Sequence, residues 1–221
     1  MRNLAIILIF IFLFIFVAVC ANAQQVNAGV SIGEEGLRGF YLAVGDYFRV
    51  PEREVILIKE RRIPDEEIPV ALFIAARARV IPSVVIDLRL GGRSWMDITL
   101  HFKLNPEIYH VPVEGEVKGP PYGKAYGYYK NKNRKDWGKI VLSNPEIINL
   151  VNLRFISEYH RFPPEEVIRL RAVGKNFILI NDEVKKRKGK EKDLKGKDKE
   201  SREKEKGEGK GKGKGKGKGN S

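Results

Sequence analysis

PSVVIDLRLGGRSWMDI, residues 82–98, occurs a second time in this chain as PEEVIRLRAVGKNFILI, residues 164–180. The two stretches align without a gap at an offset of 82 residues, and seven of their seventeen positions are identical. About one identity is expected from average residue usage. The identical pairs are Pro82 and Pro164, Val85 and Val167, Ile86 and Ile168, Leu88 and Leu170, Arg89 and Arg171, Gly92 and Gly174, and Ile98 and Ile180. This match predicts one structural unit that is used twice.

The recurring residues have the order expected of a helix, a short turn and a second helix. Pro82 suits the first turn of a helix, where its missing N–H would have no partner anyway. Gly92 fits the position just past a helix C-terminus, where a left-handed backbone penalises a Cβ atom. Ser94 is a preferred N-cap for the next helix, and Asp97 follows three residues later in a variant of the capping box.

Each copy also has a helix predicted in front of it. Residues 64–67, Pro-Asp-Glu-Glu, open one helix with acids placed against the positive end of the helix dipole. Residues 143–146, Ser-Asn-Pro-Glu, open the other with a capping box. We therefore expect two related three-helix units, residues 63–103 and residues 143–186.

The segments outside these units are less regular. Residues 38–50 and 54–60 are rich in aromatic and β-branched residues with breaks at Gly45 and Pro51, which predicts a small antiparallel hairpin within residues 24–62. Between the units, residues 104–142 form a connector rich in Gly, Pro and Tyr, with a loop expected at residues 119–137. The predicted fold class is mainly α with a small β-hairpin, two related three-helix units and a disordered basic tail.

The first 23 residues are typical of a signal peptide. Arg2 precedes an unbroken apolar run over residues 4–19, and Ala21-Asn22-Ala23 provides small residues at a cleavage site. The alternatives are an uncleaved membrane anchor and a lipid attached to Cys20. Cys20 is the only cysteine, so a chain that starts at Gln24 has no thiol and no disulfide. We expect an exported protein, periplasmic or extracellular.

The formal net charge of +13 lies mainly at the C-terminus. Residues 184–221 contain 17 basic and 7 acidic residues, a net charge of +10, whereas residues 24–183 contain 23 and 21, a net charge of +2. The Lys/Gly-rich tail, residues 187–221, is predicted to be disordered because it has too few apolar residues to offset the entropy of ordering. It acts either as a solubilising spacer or as an arm that binds polyanions such as nucleic acid, anionic glycans or lipid head groups.

The sequence lacks the signatures of enzymes, metal sites and sequence-specific DNA binding. No glycine-rich phosphate loop, nucleophile elbow or Ser/His/Asp arrangement is recognisable. His101, His110 and His160 do not have the spacing of metal ligands. The would-be recognition segment SWMDITLHF, residues 94–102, has no Lys or Arg and carries Asp97 where DNA phosphates would lie. We therefore expect no catalytic residues, no cofactor and no metal.

Two groups of residues remain as candidate binding sites. Residues 119–137 interleave aromatic and basic side chains, a composition that suits stacking and charge attraction to a polyanion or glycan. The candidates there are Tyr122, Lys124, Tyr126, Tyr128, Tyr129, Lys130, Lys132 and Trp137. In the alternative interpretation, the tyrosines cover the junction of the two units and the lysines are solvated. Arg89 and Arg171 are candidate anion contacts, or else they pair with neighbouring acids.

The run P-x-x-V-I-x-L-R-x-x-G-x-S-W-x-x-I over residues 82–98 resembles a helical motif of uncharacterised bacterial exported proteins. The Gly-Pro-Pro-Tyr-Gly-Lys segment and the Leu-Val-Asn-Leu at residues 150–153 add to the resemblance, which covers most of residues 40–181 and implies no activity. We expect an exported, non-enzymatic interaction protein of the cell envelope that contacts polyanions through its tail and its Tyr/Lys loop. The alternatives are a helical scaffold that self-associates through apolar faces and an enzyme of unrecognised type, which would need a deep polar pocket.

Overall fold

The computed structural model describes residues 33–190, which are mainly helical. Their helices are α1 (Glu34–Phe48), α2 (Glu52–Glu60), α3 (Ile68–Ala78), α4 (Pro82–Leu90), α5 (Trp95–His101), α6 (Gly123–Lys130), α7 (Asn144–His160), α8 (Pro164–Ala172) and α9 (residues 177–190). Three short 3-10 turns, Asp65–Glu67, Pro106–Tyr109 and Arg134–Lys139, lie between them. The mainly α prediction is confirmed. The predicted signal peptide and the tail beyond residue 190 lie outside the described residues.

The predicted β-hairpin is wrong, because residues 33–190 contain no strand and the two hairpin segments form α1 and α2. Their buried side chains follow a helical period: Phe40 and Val44 are four residues apart, and Val55 and Ile58 are three apart. A half-buried strand would instead bury every second residue. The content of aromatic and β-branched residues therefore gave the wrong prediction, because the spacing of the apolar residues decides between a helix and a strand.

Gly45, which the hairpin prediction treated as part of a break, lies inside α1 at a close approach of two chain segments. A Cβ atom at this position would come within 2.9 Å of the Val50 carbonyl oxygen. The Val50 N–H donates to the Gly45 carbonyl at 2.9 Å, so the chain turns back tightly at the end of α1. Pro51 then precedes the first residue of α2.

The two copies of the repeat have matching backbone geometry at positions 82 residues apart. The C-cap residue after α3 is Arg79 with φ 57°, and the C-cap residue after α7 is Arg161 with φ 49°. Gly92 has φ 89° and Gly174 has φ 90°, each just past the end of its helix. Backbone of this kind favours glycine, which accounts for the glycine that recurs in both copies.

The third helix of each unit begins at a side-chain cap. Ser94 Oγ accepts the Asp97 N–H at 3.0 Å, and the Asp97 carboxylate accepts the Ser94 N–H at 3.3 Å, which completes the capping box predicted from the sequence. In the second unit, Asn176 Oδ1 accepts the Leu179 N–H at 2.9 Å. The exchange of Ser for Asn between the copies therefore preserves the cap.

The two units are joined by α3 and α7, which pack against each other, and by bonds that cross between the units. Trp95, the first residue of α5, donates its backbone N–H to Asn144 Oδ1 of the second unit at 2.8 Å. Phe177, at the start of α9, donates its backbone N–H to Glu66 Oε1 of the first unit at 2.7 Å. Trp95 and Phe177 are fully buried, so these bonds lie beside the apolar core.

The connector contains a helix where a loop was predicted, so that prediction is wrong for residues 123–130. Tyr122, Tyr126 and Tyr129 are spaced four and three residues apart and are buried on one face. The last helix also runs through residue 190, four residues past the predicted end of the second unit. None of the helices among residues 33–190 is both long enough and apolar enough to cross a membrane.

Candidate binding surface at the connector

Arg89, a predicted anion contact, is bound within its own unit. Its Nε donates to Glu67 Oε2 at 2.8 Å and its Nη2 to Glu67 Oε1 at 3.0 Å, a bidentate pair. Its Nη1 donates to the Arg93 carbonyl at 3.1 Å, and the guanidinium lies 5.0 Å from the centroid of the Trp95 ring. The Trp95 indole N–H donates to the same carboxylate at 3.1 Å.

Arg171 has equivalent contacts in the second unit. It donates to Asn149 Oδ1 at 3.0 Å, to the Lys175 carbonyl at 3.0 Å and to Glu66 Oε2 at 3.3 Å, and it lies 4.6 Å from the Phe177 ring centroid. Both guanidinium groups therefore use their donors inside the protein. This geometry favours the alternative interpretation, in which the two arginines support the helix–turn–helix rather than bind a ligand.

Three of the candidate tyrosines are anchors of the connector rather than exposed platforms. Tyr122, Tyr126 and Tyr129 are buried, and their hydroxyl groups donate to the carbonyls of Asn149 at 3.3 Å, Val111 at 2.8 Å and Pro106 at 2.8 Å. Burial holds the pKa of all three phenols above its ordinary value. The tyrosines are therefore packed into the structure, as in the alternative interpretation, but only Tyr122 bonds to the second unit, whereas Tyr126 and Tyr129 bond within the connector rather than at the junction of the two units.

The remaining candidates lie at the surface. Tyr128 is half-buried with Lys124 5.9 Å from its ring centroid. Trp137 is also half-buried, and its indole N–H donates to the Tyr129 carbonyl at 3.1 Å, which fixes the ring. The basic residues between positions 118 and 139 are all exposed. They are Lys118, Lys124, Lys130, Lys132, Arg134, Lys135 and Lys139. We call residues 118–139 the basic surface.

The basic surface concentrates the positive charge of the described residues. It contains seven Lys or Arg and one acid, Asp136, a net charge of +6, whereas residues 33–190 as a whole carry 28 basic and 21 acidic residues, a net charge of +7. The end of α9 adds another cluster, with five Lys or Arg and no acid in residues 185–190. The rest of residues 33–190 is therefore slightly acidic.

A groove of about 690 Å³ runs between residues 112–119 and α6. His110 lies among its aromatic side chains, with ring centroids 4.6 Å from Trp137 and 5.0 Å from Tyr129. Desolvation lowers the pKa of His110, and the nearby charges of Arg154 and Arg134 lower it further. Both effects favour the neutral form of the imidazole.

Glu116 places a carboxylate at the edge of this groove, between two lysines. Its Oε2 lies 2.9 Å from Lys118 Nζ, and its Oε1 lies 2.9 Å from Lys130 Nζ. Hydrogen bonds from these two lysines lower the pKa of Glu116. The acid lies on residues 112–119 and Lys130 lies on α6, so the pair spans the groove.

The groove was not predicted from the sequence, because it forms only when residues 111–119 fold back onto α6. One signal was present: Gly115, Gly119, Gly123 and Gly127 recur every four residues, and all four line the groove. Within residues 33–190, no three His, Cys, Asp or Glu side chains come together as metal ligands.

No family model, curated protein or solved structure matches this chain. The resemblance to bacterial exported proteins stays a prediction, as does export itself. The charge and the geometry of the connector are therefore the basis for assigning a function.

Proposed function

We propose that this chain is an exported, non-enzymatic interaction protein that binds polyanions through the basic surface. The observation that carries the proposal is the segregation of charge, with seven basic residues and one acid on residues 118–139, whereas the rest of residues 33–190 holds 21 basic and 20 acidic residues. Clustered Lys and Arg attract polyanions because binding releases the counterions condensed on the polymer. Export rests on the predicted leader.

The anchored tyrosines support this proposal by holding the basic surface in place. Tyr122, Tyr126 and Tyr129 bury their rings and bond their hydroxyl groups, so the backbone that carries the lysines is fixed before binding. A fixed surface loses less conformational entropy on binding than a flexible one. The tyrosines therefore act as supports for the charge, and the stacking role predicted for these three residues is not part of the proposal.

The end of α9 and the tail extend the positive charge. Arg187 of α9 lies 3.6 Å from the carboxylate of Glu166. The preceding residue, Glu165, accepts the Glu114 N–H at 2.5 Å. These two contacts place this part of α9 near residues 112–119. Residues 191–221 contain 12 basic and 7 acidic residues, a further net charge of +5. We expect the tail to raise the affinity for a polyanion without being the sole source of it.

Two charge-matched triple variants of the full chain test the proposal. The first variant changes three exposed residues of the basic surface, Lys124, Lys132 and Lys135. The second changes three exposed residues elsewhere, Arg53, Arg79 and Arg93. None of these six side chains forms an ion pair with a described residue. Changing the first three to Gln should lower the affinity for heparin about tenfold, the scale of three lost ion contacts.

The control triple, with Arg53, Arg79 and Arg93 changed to Gln, has the same net charge and should change the heparin affinity much less. Equal losses in the two variants would show that net charge alone attracts the polymer and would overturn the proposal. So would the absence of heparin binding by the unchanged chain. Self-association through apolar helix faces stays a prediction, which sedimentation of the full chain tests.

A further inference from the structure

Glu116 occupies the place that an anionic ligand would take on the basic surface. Each of its carboxylate oxygens lies 2.9 Å from a different lysine, Lys118 on one side and Lys130 on the other. The Glu116 side chain is 50% exposed, so the pair lies open to solvent at the groove. A carboxylate from outside the chain can therefore reach the same two ammonium groups.

The groove beside this pair is open and mainly apolar. Its walls are Tyr126, Tyr129, Trp137, Pro112 and Val117. A volume of about 690 Å³ lies within the range of ligand sites in proteins. The aromatic walls are held by hydrogen bonds from Tyr126, Tyr129 and Trp137 to backbone carbonyls, so this side of the groove exists before any ligand binds.

Gly127 keeps one wall of the groove open. It lies inside α6, and no atom stands within 4 Å of the place where its Cβ would be. A glycine in a helix interior is less favourable than alanine by roughly 1 kcal/mol. Gly127 lines the groove, and its missing methyl group leaves open space there at a cost to the helix.

The groove leaves little free aromatic face for the stacking of a flat base. Arg134 lies 5.7 Å from the Trp137 ring centroid and His110 lies 4.6 Å from it, so Trp137 is already in contact with two side chains. Base stacking on single strands needs free aromatic faces. The aliphatic side chains of Pro112 and Val117 can lie against the C–H groups of a sugar ring.

We propose that this groove binds a uronate residue of an anionic glycan, whose carboxylate replaces that of Glu116 on Lys118 and Lys130. The sugar ring lies against the apolar wall beside Gly127. This inference rests on the proposed polyanion binding and adds the class of polymer and the place of one unit. Glu116 then acts as an internal competitor that the ligand must displace.

Calorimetric titration with a galacturonate oligosaccharide tests the proposed uronate site in two matched pairs of variants of the full chain. Glu116→Gln should raise the affinity about threefold, on the scale of an exposed ion pair. Asp136→Asn removes the same charge from the same surface, where Asp136 pairs with Lys139 at 2.8 Å, and should raise the affinity less.

The second pair compares two glycines. Gly127→Ala should lower the affinity roughly tenfold, as an added methyl group does in a fitted pocket. Gly39→Ala changes another open glycine inside a helix, α1, and should leave the affinity unchanged. Thermal unfolding confirms that both variants are folded.

The outcomes separate this inference from the proposed function. Equal effects of Glu116→Gln and Asp136→Asn would contradict uronate binding in the groove, and so would the absence of an effect of Gly127→Ala. Either result would leave the proposed polyanion binding by the lysines intact. If Gly127→Ala lowered the affinity for oligothymidylate as much as the affinity for the galacturonate oligosaccharide, the groove would be a nucleic-acid site and the proposal of a glycan ligand would be wrong. Failure of the unchanged chain to bind heparin, the galacturonate oligosaccharide and oligothymidylate alike would overturn both proposals.

Discussion

The two repeat units support the same arginine in different ways. In the first unit, Arg89 pairs with the carboxylate of Glu67 from the turn in front of α3. In the second unit, Arg171 pairs with the amide of Asn149, which lies 82 residues after Glu67, and takes its carboxylate from Glu66 of the first unit. Two adjacent acids in one 3-10 turn thus serve the two arginines. The arginine site of the first unit is therefore complete within that unit, whereas the arginine site of the second unit takes a carboxylate from the first.

The units also differ in the length and charge of their third helix. α5 ends at His101, after which the chain enters the connector. α9 includes residue 190, where the described residues end, and carries five basic residues at positions 185–190. Residues shared by the copies pack and cap helices, whereas the positive charge lies in segments that the copies do not share. The repeat therefore builds the fold, and the proposed polyanion binding involves the segments added to it.

The largest expected effect tests the difference between the two arginine sites. Glu67→Ala leaves the guanidinium of Arg89 and the indole N–H of Trp95 without their acceptor in a mainly buried setting, and should lower the free energy of unfolding by about 3 kcal/mol. Asn149→Ala leaves Arg171 its bond to Glu66 and should cost about 1 kcal/mol. Urea denaturation measures both. Equal losses would contradict the claim that the first site is the more dependent on one acceptor.

A smaller effect tests the likeness of the two units. Gly92→Ala and Gly174→Ala each place a Cβ atom on backbone with φ near 90°, so each should lower the free energy of unfolding by roughly 1–2 kcal/mol. Gly127→Ala, in the interior of α6, should raise it by up to about 1 kcal/mol because the backbone there is helical. Urea denaturation of the three variants gives the signs. A clear difference between Gly92→Ala and Gly174→Ala would show that the two turns are not equivalent.

The repeat made the helical units predictable from the sequence. The proline, the glycine and the cap residues each have one local role, and local roles do not depend on distant contacts. The capping box of Ser94 and Asp97 and the positive φ of Gly92 could therefore be inferred from position alone. The pairing of Arg89 with a neighbouring acid was foreseen as an alternative, although the acid itself was not named.

The features that depend on distant parts of the chain could not be predicted. Nothing local indicates that Asn144 caps α5 or that Glu66 caps α9, since these partners are 49 and 111 residues away from the helices they cap. In α1, the helical spacing of Phe40 and Val44 was present but was outweighed by β-type composition. In the connector, glycines concealed the helical spacing of the buried tyrosines.

The salt dependence of polyanion binding tests the central claim, that the basic surface of the connector carries the interaction. Duplex DNA serves as a nonspecific polyanion of known charge spacing, titrated with the full chain at a series of salt concentrations. The slope of log affinity against log salt should become shallower by roughly 2 to 3 when Lys124, Lys132 and Lys135 are changed to Gln, since each lost phosphate contact contributes about 0.9. The triple change of Arg53, Arg79 and Arg93 to Gln should leave the slope as it is. An unchanged slope in the connector variant would contradict the account and would place the interaction in the tail.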